Sequence, residues 1–279
     1  MINLIVDSCC EIGDEYADGK SVTITRIPLN LQLGEEIYLD DENLDVNEYL
    51  TAMEACEGKI QTSAPAPGLF LEKFKAAGDN IIVITLSSKI SATYQSAVMA
   101  KEMYIDECGK KFVHIFDSLT AAVGEGVLAM KVTDLAKKGA SAADIIEPIN
   151  HHIKNMRTMF ILDRFDNMVK TGRMKPYVAK IASMLNVKPV CGDVNGEIQV
   201  LEKARGYSKA VEKMIKIIKD NTPDIESRFM AITHVAAYEK AVALKEEMIK
   251  NLGIKDVRIE ECRGVTATYA ARGGVIVAY

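Results

Sequence analysis

The sequence predicts an α/β fold in two domains, and three observations carry that prediction. Through the first half, short β-branched runs alternate with amphipathic segments, the pattern of a mostly parallel sheet with flanking helices. Beyond Arg157 the alternation gives way to two apolar runs facing each other across the glycine-bounded segment 192–196, a hairpin signal that predicts a mixed α/β second domain. Neither half contains an internal repeat or a low-complexity tract. The expected domains are residues 1–156 and 157–279.

Taken in order, residues 3–6 are a short apolar strand ended by the turn at Asp7-Ser8. Residues 22–33 alternate apolar and polar up to Gly34, and 44–56 carry helical spacing with an acidic start. Two prolines and a glycine make 59–68 a loop, before an amphipathic helix over 69–76. Residues 81–84, all Ile or Val, predict a buried strand, with a helix over 91–104 and a further strand over 112–116. Small residues at 120–126 open a helix towards Lys138, and Ser141 with Asp144 starts the next, over 141–155. The second half reads as a strand at 159–162, a helical stretch to Lys170, the turn Thr171-Gly172-Arg173, and the hairpin of 187–190 with 197–201. A helix over 207–219, a strand at 229–234, a helix over 238–251, a strand at 257–261, a helix or loop over 264–272 and a last strand at 275–279 complete the chain.

Composition excludes several classes. A hydrophobic fraction of 48% with 26% charged residues is that of a water-soluble globular chain. The opening MINLIVDSCC has no basic region, and no apolar run approaches the roughly 20 residues of a membrane span. Neither a signal peptide nor a transmembrane helix is therefore expected, and the cytoplasm is the expected location. Six scattered cysteines match neither a disulfide framework nor a metal-binding spacing, so no metal is expected. A net charge of −5 argues against nucleic acid as a partner.

The stretch Leu86–Ala97, LSSKISATYQSA, joins a buried strand to a helix through Ser87, Ser88, Ser91 and Thr93. Hydroxyls and backbone N–H groups at such a junction can hold an anion, and they can equally well cap the helix. Asp7-Ser8 and Asp117-Ser118 end neighbouring strands in the same way, and in a parallel sheet all these ends open on one edge, where ligands bind. The Thr62-Ser63 loop is placed to reach that edge.

Other chemistries find less support. A phosphatase aspartate at Asp7 wants a second aspartate two residues on, where Cys9 stands. There is no G-x-S-x-G elbow, Walker loop or G-x-G-x-x-G fingerprint. His234 ends a strand but reads as structural, His114 lies within a strand, and His151-His152 lie on a polar helix, so a serine nucleophile lacks a base. Arg173, next to Gly172, can fork towards a carboxylate or phosphate, though a solvated loop arginine is the commoner case.

Six motifs in order resemble one family along nearly the whole chain. They are IVDS (Ile5–Ser8), TSAP (Thr62–Pro65), LSSKISATYQSA, FDS (Phe116–Ser118), TGRM (Thr171–Met174) and KARG (Lys203–Gly206). Together they are similar to the DegV family of fatty-acid-binding proteins, the acyl-carrying subunits of bacterial fatty acid kinase. The resemblance implies a long-chain fatty acid in a tunnel between two α/β domains. Its carboxylate would be held by Thr62, in the family's TS-x-P loop, and by Ser91, the serine of its S-G-T motif, here followed by Ala92. Arg173 matches the arginine of a G-G-R turn, with Thr171 in place of the first glycine.

The family commonly closes with H-x-G-P-G, and here Tyr269 takes the histidine position. Tyrosine offers a hydrogen bond but no positive charge, so Arg272 is the expected substitute cation. The resemblance further implies a separate kinase subunit that converts the bound acid to an acyl phosphate with ATP, transient membrane contact and no cofactor besides the ligand. The chain itself would be a carrier and not an enzyme. Lys203 and Arg205 are candidate contacts to the kinase, and Phe70, Ile90 and Met130 candidate tunnel lining. Burying about fifteen methylenes supplies on the order of 12 kcal/mol before ordering costs, so affinity would come from the lining and registration from the head group. Two alternatives stand beside this: a carrier of another carboxylated lipid, and a small-molecule hydrolase or acyltransferase using Ser91 or Ser8.

Overall fold

The computed structural model describes residues 1–182 and 184–279. The chain opens with β1 (Ile2–Asp7), β2 (Val22–Ile27), β3 (Asn30–Leu33) and β4 (Glu36–Leu39). Next come α1 (Val46–Ala55), β5 (Ile60–Ser63), α2 (Pro67–Ala77), β6 (Ile81–Thr85), α3 (Thr93–Cys108) and β7 (Val113–Asp117). Two helices, α4 (Val123–Lys137) and α5 (Ala142–Asn155), precede β8 (Thr158–Ile161), α6 (Asp166–Lys170) and α7 (Tyr177–Ala182). The hairpin β9 (Val187–Val194) and β10 (Glu197–Arg205) leads to α8 (Tyr207–Asn221), β11 (Phe229–His234) and α9 (Tyr238–Leu252). Last are β12 (Asp256–Glu261), α10 (Gly264–Ala270) and β13 (Val275–Ala278).

These strands form three sheets. The first is parallel, in the order β2-β1-β6-β7, and every residue of β6 is buried, as a central strand covered on both faces requires. A mixed sheet follows in the order β10-β9-β8-β13-β11-β12, with β11 and β12 parallel and β13 antiparallel to both β8 and β11. The third, β4-β3-β5, is antiparallel and was not expected. Pro28 breaks the run read as continuous over 22–33, so that β2 joins the parallel sheet and β3 the small one. The loop expected over 59–68 contains β5, whose sequence IQTS has no alternating apolar signal because backbone pairing with β3 is what holds it. The short helix α7 also went unread. Helix α5 starts as its sequence predicts: Ser141 Oγ accepts the Asp144 N–H, and Asp144 Oδ2 accepts the Ser141 N–H at 3.1 Å.

Helix α4 ties the halves together. It packs against β1 and β6 of the parallel sheet and against β11 and β13 of the mixed one, and all its residues from Val123 to Met130 are buried. One apolar core consequently runs from Leu4 and Ile84 through Leu128 to Phe160, Ala231 and Ile276, across residue 157. Separate cores lie under α2 and α3 and under α8 and α9. Close approach at the start of α4 depends on Gly126, where a Cβ would stand 1.9 Å from the Glu11 carbonyl oxygen. Among the described residues, no helix is long and apolar enough to cross a membrane.

Candidate functional site

The C-terminal ends of β1, β6 and β7 open on one edge, as a parallel sheet dictates. Most of their polar groups are consumed by the fold. Ser8 Oγ accepts the Leu29 N–H at 3.0 Å, Ser87 Oγ donates to the Gly196 carbonyl at 2.8 Å, and Ser118 bonds within its own turn to Thr120. Asp7 is fully buried and accepts the Cys9 and Leu86 N–H groups at 2.9 and 2.8 Å. Helix α3 has no side-chain cap at Ala92, and Ser91 instead receives the Thr93 N–H at 3.2 Å.

Ser91 remains on the wall of a cavity of about 160 Å³ between this edge and the second half of the chain. Cys9, Leu86, Ile90, Ala121 and Ala122 form one side, and Met168, Ile198, Val265 and Ile276 the other. A smaller space of about 70 Å³ continues past Ile90, Ala121 and Met168 towards Phe160 and Leu162. The interior is predominantly apolar and suits a flexible hydrocarbon.

Polar groups gather on the same cavity wall. Thr62, on β5, and Tyr269, on α10, bring their hydroxyls to 2.9 Å, and Ser91 Oγ stands 2.8 Å from Thr93 Oγ1. Arg173 stacks on the Tyr269 ring at 5.8 Å, while its Nε and Nη1 donate to the carbonyls of Ile90 and Thr171 at 3.3 and 2.8 Å. Gly172 supplies the φ of +77° that turns the chain to deliver this arginine. Helix α10 is fixed by Asp40, whose two oxygens accept the Gly264 and Val265 N–H groups at 2.8 and 3.0 Å, and by the Tyr49–Thr268 hydroxyl pair at 2.7 Å.

The structure thus brings Thr62, Ser91, Arg173 and Tyr269 together on one cavity, but it does not bring Arg272. That side chain pairs with Glu54 at 3.0 Å and donates to the Asn47 carbonyl and Thr51 Oγ1, in a separate polar cavity outside the Thr62–Tyr269 pair. The Glu54 carboxylate on α1 takes up its charge. Among the lining candidates Ile90 lies on the wall of this cavity. Phe70 packs on Phe74 in the α2–α3 core, and Met130 borders a cleft elsewhere. The histidines stay outside the site: His234 Nδ1 accepts the Ala237 N–H at 3.3 Å, and His114 stands edge-on to Phe116. Thr266, unread in the sequence, also lines the cavity; its place three residues before Tyr269 put both on one helix face.

Behind Cys9 lies a group of buried acids. Burial raises Asp7 to about 7 and Glu11 to about 8, and pushes Glu125 and the Cys9 thiol well up. Donor atoms of Asp7, Cys9 and Glu125 fall within 4.8 Å of one another. Their raised pKa values favour the protonated forms, which are poor metal ligands, and Asp7 already accepts two backbone N–H groups.

An α/β fold with an apolar cavity at the parallel-sheet edge, walled at one side by hydroxyls and an arginine, has the chemistry to accommodate a small amphipathic ligand. The chain belongs to the DegV family, whose profile ("Uncharacterised protein, DegV family") matches residues 1–279. It is 32% identical to a DegV domain-containing protein of Streptococcus pyogenes serotype M1, over 99% of this chain and 98% of that one. A DegV family protein of Ruminococcus gnavus with vaccenic acid superposes with a TM-score of 0.93 at 32% identity, covering 100% of this chain and 99% of that one. The fatty acid kinase B3 protein of Streptococcus pneumoniae, loaded with linoleic acid, gives 0.94 at 25% identity, covering the same shares.

Proposed function

We propose that this chain is a non-catalytic carrier that encloses a long-chain fatty acid and presents its carboxyl group to a separate kinase. The observation that carries the reading is the cavity itself: apolar within, and bordered by Thr62, Ser91, Arg173 and Tyr269. The fatty acids named with two similar structures support the ligand class, and the kinase named with one of them supports the partner.

The Thr62 and Ser91 hydroxyls donate to the carboxylate oxygens, exchanging their present Tyr269 and Thr93 partners for a charged acceptor. Arg173 adds positive charge beside them, and a buried carboxylate without such donors would cost several kcal/mol. In the kinase reaction a carboxylate oxygen bonds to the terminal phosphorus of ATP as the bond to the departing ADP oxygen breaks, leaving an acyl phosphate. A serine hydrolase is disfavoured, because neither Ser8 nor Ser91 has an imidazole among its hydrogen-bond partners. The comparisons lend no support to the expected membrane contact.

Titration with vaccenic or linoleic acid tests the reading. Saturation at one acid per chain, followed by ATP-dependent acyl phosphate formation when a fatty acid kinase catalytic subunit is added, supports it. Absence of binding refutes it.

A further inference from the structure

Outside the Thr62–Tyr269 pair lies a second cavity, of about 530 Å³, which shares Arg173 and Tyr269 with the apolar one. Its charges are unevenly matched. Glu54 is paired with Arg272 at 3.0 Å and Asp166 with Arg164 at 3.2 Å. Lys59 and Lys170 line the same space, and among the described residues neither ammonium group has a hydrogen-bond or ion-pair partner. Arg173 commits Nε and Nη1 to carbonyls and, among the described residues, leaves Nη2 without an acceptor. Against these three cationic groups the described lining sets one unpaired acid, Glu57, so the cavity carries a net positive charge.

We propose that this outer cavity is the subsite for the phosphoryl group of an acyl phosphate, with Lys59 and Lys170 as its counter-charges. The inference rests on the fatty-acid reading and extends it to the product. In an acyl phosphate, phosphorus is one bridging oxygen beyond the carbonyl carbon. A head group held at the shared wall by Thr62 and Arg173 therefore directs its phosphoryl group to the outer side of Tyr269. There a group carrying up to two negative charges meets two lysines that the fold uses for nothing else, and lysine serves phosphate as a point charge. Arg173, at the wall, reaches both the carbonyl and phosphoryl oxygens. The free acid has no atoms beyond the wall and gains little from either lysine.

The experiment compares two probes of equal chain length: a fatty acid, and the β-ketophosphonate in which a methylene replaces the bridging oxygen of the acyl phosphate. Each is titrated into the wild-type protein and into a Lys59→Ala/Lys170→Ala variant. The expected result is a loss of about ten-fold or more in ketophosphonate affinity, with the fatty acid changed by less than about two-fold. The unchanged acid affinity also reports an intact fold. Equal weakening of both probes, no weakening of the ketophosphonate, or a wild-type protein that takes the acid and rejects the ketophosphonate overturns the proposal. A wild-type protein that binds neither probe overturns the fatty-acid reading beneath it.

Discussion

The hydroxyls of Thr62 and Tyr269 stand 2.9 Å apart although 207 positions separate them in the chain. The contact joins β5, in the small antiparallel sheet, to α10, which follows the last parallel pair of the mixed sheet. It lies on the wall between an apolar and a polar cavity, and either hydroxyl can serve as the donor.

Substituting those donors should lower affinity without unfolding the protein. Removing one hydrogen bond to a charged group costs about 1.5–3 kcal/mol, so Thr62→Val or Ser91→Ala should each weaken fatty acid binding by roughly ten-fold or more. Displacement of a fluorescent fatty acid, beside a thermal melt, measures both effects. Unchanged affinity in both variants refutes the head-group assignment.

The two arginines should behave differently. Arg173 lies on Tyr269 and lines the apolar cavity, whereas Arg272 is bound to Glu54 and to α1. Arg173→Ala should therefore reduce fatty acid affinity by about ten-fold, and Arg272→Ala by less than about two-fold. The same displacement assay decides, and the reverse order would restore Arg272 to the head group.

Gly126→Ala should be severely destabilising, although glycine to alanine within a helix ordinarily adds about 1 kcal/mol of stability. The new Cβ would stand 1.9 Å from the backbone oxygen of Glu11, which no rotamer change relieves. Overpacking of this kind costs about 3 kcal/mol, a fall in Tm of roughly 5 °C in a chain of this size. A melt within about 2 °C of wild type would show that α4 can shift without loss.

Stability should fall as pH rises from about 5 to 8. Burial raises Glu11 from 4.5 to about 8 and Asp7 from 3.8 to about 7, so between those values the folded chain holds protons that the unfolded chain has released. Their contribution is complete below the unfolded values and lost once pH passes the folded ones. Glu11→Gln keeps an acceptor for the Arg263 N–H and removes the titration, so its Tm should depend less on pH. Parallel wild-type and variant curves of Tm against pH would refute the assignment.

What was legible in the sequence follows from the physics of each element. The run Ile81–Thr85 is buried on both faces and declares itself by composition, and the Ser141–Asp144 capping box fixes the start of α5 locally. Strand β5 is held by backbone pairing with β3, a contact between distant segments that leaves no periodic signal in IQTS. The site divides in the same way. The local sequence marks Ser91, Arg173 and the Thr62-Ser63 segment, and the ordered motifs added Tyr269. Arg272 was misjudged because proximity in sequence to Tyr269 says nothing of Glu54, which lies on another helix. Phe70 was misjudged because an aromatic on an amphipathic helix serves any core, and its own is the one under α2 and α3.

The central claim is that the apolar cavity holds a fatty acid by its carboxylate, and native mass spectrometry of the freshly purified chain tests it most directly. The account predicts an adduct of one long-chain fatty acid per chain, diminished in a Thr62→Val/Ser91→Ala double variant. A wild-type chain that carries no acyl adduct, and gains none on incubation with vaccenic or linoleic acid, would contradict it.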